Sequence, residues 1–168
     1  MSITPANIRF FLSGGGANTN PNLSLGGAIS STEMVDNVLH NLFARVEAAE
    51  AATGSVRYRA IYVRNTHATL TYEAVLAFIS LQTTSPNTSI RISLAGEGVN
   101  GTMQTIPNEN TAPVGRVFVA ADGVAAGLPM GNLAPGAFFG IWVERTVNAG
   151  ALAFSSDTAS VSVRGETV

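Results

Sequence analysis

The feature that most narrows what this chain can fold into is a change of apolar period at residue 55. From there on, Tyr58, Ala60, Tyr62 and Arg64 alternate with Arg59, Ile61 and Val63. A period of two puts successive side chains on opposite faces of a strand. Thr69 to Leu81 reads as a second strand after a turn at Asn65-Thr66-His67. Glu73, Ala74 and Ala77 give its later part a helical rival, and the flanking β-branched residues with the limited length decide for strand. Ser89 to Ala95 alternates again, and Asn100-Gly101 is the dipeptide that favours a tight hairpin. Residues 105–115 read as a loop, Arg116 to Ala121 as a strand, and 123–136 as a connection broken by glycine and proline. Ala137 to Val147 is the most strongly β segment, and Ala151 to Phe154 and Ala159 to Arg164 close the series. Short strands spaced roughly 8–12 residues apart predict a mainly β fold, an immunoglobulin-like or jelly-roll-like β-sandwich.

Upstream of residue 55 the pattern differs. Residues 1–30 hold a short extended piece, Ile8 to Leu12, and then SGGGANTNPNLSLGG. Glycine raises the entropy lost on ordering, and Asn and Pro favour turns. This predicts an extended N-terminal arm, mobile or strapped onto a neighbour, whose removal would leave the sandwich folded. Residues 31–168 are then one sandwich domain with a helical segment near 33–52. Met34, Val35, Val38, Leu39, Leu42, Phe43 and Val46 recur at helical intervals, Ser30 and Glu33 have capping-box spacing, and Gly54 suits a stop.

Charge is sparse: 12% of residues against the ~25% of an ordinary domain. All nine basic residues are arginines, scattered from Arg9 to Arg164, and the net charge is −2. No basic stripe is present to displace phosphate counterions, so nucleic acid is not an expected partner. A surface poor in Lys and Glu and rich in Ser, Thr and Asn loses little side-chain entropy when another protein covers it. That favours an assembly module and a homo-oligomer. The apolar run Phe10-Phe11-Leu12 is far short of a signal-peptide core or a membrane span, which predicts a cytosolic chain until it joins an assembly.

Residues that carry chemistry are few. With no cysteine, thiolate zinc sites, disulfides and cysteine nucleophiles are excluded. His40 has no second ligand three or four residues on, and Glu73, six residues after His67, is at no recognised ligand spacing. No G-x-S-x-G pentapeptide occurs. Glu47 and Glu50 read as a solvated helix face, and Glu144 and Arg145, adjacent on a strand, point to opposite sides. The triplets beginning at Asn22, Asn87 and Asn100 fit the glycosylation pattern, which an Asn-rich chain produces by chance. Phe138, Phe139 and Trp142 offer either a carbohydrate platform or sandwich core. No catalytic, cofactor-binding or metal-ligating residue is assigned, and no enzyme activity or cofactor is expected.

Three stretches resemble a known group: FFLSGGGANTNPNLSLGGAISST (Phe10 to Thr32), YRAIYVRNTHATLT (Tyr58 to Thr71) and GIWVERTVNAGALAF (Gly140 to Phe154). They look like small virion structural proteins of tailed bacteriophages. The resemblance implies a particle component made in the host cytoplasm and carried in the virion. Its partners would be major capsid or tail proteins, and no functional residue is implied. A capsid decoration (cement) protein and a tail, baseplate or fibre-attachment protein both fit; a carbohydrate- or receptor-binding module is the reading from another class.

Overall fold

The computed structural model describes residues 2–167. The long alternating segments form two antiparallel sheets. The larger runs β2 (Ile29–Glu33), β1 (Ile8–Ser13), β3 (Ser55–Asn65), β7 (Phe138–Val147) and β5 (Thr88–Leu94), in that order. The smaller runs β6 (Leu128–Leu133), β4 (Tyr72–Leu81) and β8 (Ser160–Glu166). The chain is therefore mainly β and sandwich-like, with one short helix, α1 (Ala48–Thr53).

The register explains the core. Trp142 lies opposite Ala60 on one side and Ser93 on the other, and Ile141 opposite Ile61 and Leu94, so the central strands present matched faces. One face carries Ile61, Val63, Ile92, Phe139, Ile141 and Val143, all buried in a single cluster with Val75, Ala77, Ile79, Met130 and Leu133 of the smaller sheet. The opposite face carries Ala60, Tyr62 and Trp142, also buried, beneath the long stretch that follows β5. Met103 of that stretch lies against Gly140, where an added Cβ would collide with the methionine sulfur. Its amide donates to the Tyr62 hydroxyl (2.9 Å), which in turn donates to the carbonyl of Gly27 (2.7 Å). Burial on both faces is why β7 reads as a nearly unbroken apolar run.

Several expectations are corrected. The segment 1–30, expected as an arm apart from the domain, supplies β1, which pairs with β3 from Ile8↔Asn65 to Leu12↔Ile61. The glycine- and asparagine-rich part then folds back. Buried Ser24 exchanges backbone and side-chain bonds with Ala60, extending the sheet edge beyond β1. Gly26, at φ +92, passes so close to Gln104 that any side chain would collide with its carbonyl.

The helix expected near 33–52 forms only over Ala48–Thr53. Ser30 and Glu33 belong to β2, and Asn37 and His40 adopt left-handed φ values of 61 and 59. The carbonyls of Leu42 and Ala44, which a helix would use internally, instead accept from Arg59 and Arg145. The Asn100-Gly101 turn forms, but no strand follows it. The expected strand at 116–121 is reduced to a single bridge between Val119 and Ile92. Ala151 to Phe154 is likewise irregular. Conversely, β6 lies inside the expected connection 123–136. Its Pro129 sits on an edge strand, where a missing N–H costs no ladder bond.

Candidate interaction surface

The densest polar constellation lies at the end of β3 and β7 nearest α1. Arg57, Arg59 and Arg145 project from one face of the two strands, with Glu50 of α1 and Glu109 of the 105–115 loop over them. The Glu50 carboxylate accepts from Ser55, from Arg57 (2.8 Å) and from Arg145 (3.2 Å). Glu109 pairs with both Arg57 and Arg59. Phe43 lies within reach of two guanidinium groups, Arg145 at 4.8 Å and Arg59 at 5.7 Å from its ring centre.

Burial would raise the Glu50 carboxyl, but the bonds from Ser55 and Arg57 and the charges of Arg145 and Arg57 outweigh it and hold it below its ordinary value. Burial pulls Arg59 down to about 10, helped by the charges of Arg145 and Arg57, so it stays cationic at neutral pH. Both carboxylates are thus engaged by arginine. The cluster fastens α1 and the 34–47 segment to the sheet. Glu50, expected on a solvated face, has a side chain only 8% exposed. Nothing in its helical spacing announced this, because its partners lie on strands; Glu109 was legible only as loop.

The remaining residues singled out in the sequence stand apart from this cluster. His40 is exposed on the left-handed turn. His67 closes the β3–β4 turn, its Nδ1 accepting from the amides of Thr69 (3.1 Å) and Leu70 (3.0 Å). Glu144 and Arg145 do point apart: Glu144 pairs with Arg91 (2.6 Å) and Arg145 with Glu50. Trp142 is 0% exposed and Phe139 is buried, while the half-buried Phe138 packs edge-on against Tyr62. Trp142 therefore belongs to the core and offers no flat ring to a sugar. Among the described residues, no group of three His, Cys, Asp or Glu side chains is placed to hold a metal ion.

Unspent apolar surface lies elsewhere. Where a helix was expected, the chain turns Val35 (61% exposed), Val38 and Leu39 (75% exposed) outward. Val35 and Val38, with Leu12, Pro21 and Met34, line a groove of about 180 Å³. Leu23 is exposed on the neighbouring turn Pro21–Leu23. Val114 and Val117 are exposed on the loop after β5, and Leu152 and Phe154 on the loop before β8. β8 is the last strand of the smaller sheet, and no described strand pairs with its outer edge. A groove flanked by such residues, with few charges around it, is the kind of patch that marks a protein contact. The chain matches no family model, no curated protein and no solved structure, so its function is inferred from its own surface.

Proposed function

We propose that this chain is a non-catalytic structural component of a tailed-phage virion. In this reading it is a capsid decoration (cement) protein that stabilises the shell through contacts with capsid subunits and with its own copies. Its frame is an immunoglobulin-like or jelly-roll-like sandwich. The observation that carries the reading is the outward apolar segment Val35-Val38-Leu39 beside its groove, in a chain with no lysine and few charges. Burying these side chains contributes about 25 cal/mol per Å² of apolar area. The short polar residues around them lose little entropy when covered. The open edge of β8 offers a second mode, addition of a neighbour's strand. On a symmetric shell, many modest contacts of this kind sum to firm retention.

The test is the molar mass of the full chain by light scattering after size exclusion, over a range of concentrations, with co-sedimentation on undecorated shells. A trimer, or a monomer that binds shells, supports a decoration protein. Larger rings shift the reading to the tail, baseplate or fibre attachment. A monomer that binds no shell, and whose behaviour is unchanged by Leu39→Asp, overturns it.

A further inference from the structure

We infer that the depression between the β3–β4 turn and the β6–β7 turn is a binding site for a small oxyanion group, a carboxylate or a phosphate, held by Arg64 and His67. The depression, about 490 Å³ and open to solvent, is lined by Arg64, Thr66, His67, Ala68, Pro135 and Gly136. None of these is acidic. Arg64 forms no ion pair among the described residues, and its cross-strand neighbour is a second arginine, Arg9. Its Nε donates to the carbonyl of Gly136 (3.0 Å), which fixes the guanidinium and leaves its two terminal amino groups free. That end is the fork that grips two oxygens of one anion.

His67 is prepared by its turn. Two backbone amides donate to Nδ1, so the proton of the neutral ring resides on Nε2, a donor with no partner in the described structure. Both side chains thus present only donors to the depression.

A buried residue builds the walls. Asn65, 0% exposed, donates from its side-chain amide to the carbonyls of Leu70 (2.8 Å) and Leu133 (2.9 Å). Its Oδ1 accepts from the amide of His67 (3.0 Å), and its backbone exchanges bonds with Gly136 and Ala137. One side chain therefore sets the separation of the two turns, and Gly136, at φ +80, permits the tight second turn. This inference is independent of the assembly reading.

The test is a titration of the full chain, labelled with ¹⁵N, with inorganic phosphate and separately with acetate, at ionic strength held constant with sodium chloride. Saturable shifts confined to residues 64–70 and 133–137 are expected, with the His67 ring and the Arg64 Nε–H among them. Arg64→Gln should weaken binding about tenfold. His67→Asn, which keeps an acceptor for the turn amides but removes the Nε2 donor, should weaken it less. Arg164→Gln, at another exposed arginine that forms no ion pair among the described residues, should leave the curve unchanged. Saturation by phosphate alone assigns a tetrahedral group, and by acetate alone a carboxylate. Either outcome, or both, supports the site. Absence of saturation with either anion, or equal curves for Arg64→Gln and the unaltered chain, overturns it. The amide spectrum of each variant reports whether it remains folded.

Discussion

Replacing Glu50 with Gln tests whether the arginine cluster fastens the irregular N-terminal third to the sheet. The substitution keeps size and the acceptor Oε1, so Ser55, Arg57 and Arg145 retain an oxygen to bond. What is lost is charge: Arg57 and Arg59 would keep Glu109, and Arg145 would be left with no carboxylate among the described residues. A bond to a charged group is stronger than a neutral one by about 1 kcal/mol, and two arginine bonds are affected. Under-compensating the nearly buried Arg145 adds to this, within the roughly 3–5 kcal/mol that breaking a buried pair costs. The expected destabilisation is about 2–4 kcal/mol, or a fall in Tm of about 5–15 °C for a domain of this size. Urea denaturation followed by circular dichroism reads it as a lower midpoint with unchanged slope.

The sign of the pH dependence follows from the same group. The folded pKa of Glu50 lies below its ordinary value of 4.5. Its contribution is therefore complete above that value and is lost as pH falls through the lower folded pKa. The Gln variant should lack this part of the acid dependence. Glu47→Gln is the control, since both Glu47 and its partner Arg45 are exposed and solvent screens such a pair. A Glu50→Gln midpoint equal to that of the unaltered chain would refute the reasoning.

Two further outcomes follow from the packing. Tyr62→Phe keeps the buried ring but strands the Met103 amide and the Gly27 carbonyl, and should cost about 2–4 kcal/mol with faster amide exchange at Met103; equal stability would show that water replaces the hydroxyl. Deleting residues 1–28 removes β1 and buried Leu12, and uncovers the edge of β3, so near-ultraviolet circular dichroism and cooperative unfolding should be lost; a cooperatively folded truncation would restore the idea of a separate arm.

The strands that sequence revealed are those where local pattern and tertiary burial agree. β3, β4, β5, β7 and β8 lie within two or three residues of their expected places because alternation, β-branching and turn residues act over a few positions. Trp142 is core, one of the two alternatives its strand left open, since β7 is covered on both faces. β6 was hidden by Gly127, Pro129 and Gly131, tolerable only because the strand is an edge, which sequence does not state.

The errors share one cause. Met34 to Val46 has the apolar spacing of a helix, but the bonds that fix it come from Arg59 and Arg145, distant in sequence. Those contacts outweigh a propensity difference of tenths of a kcal/mol per residue. The N-terminal glycines and asparagines look like an arm because local preference gives them no partner, and Ala60 and Met103, distant in sequence, supply one.

Arg64 and His67 were visible as letters, but a site requires two turns to face each other. Asn65, bonded to Leu70 and Leu133 at once, brings that about. By itself the sequence determined a mainly β chain, sparse charge and the places of most strands, because these follow from short-range periodicity. The tertiary structure alone decided which apolar residues remain outside and which charges meet, because those depend on contacts between segments that no local pattern encodes.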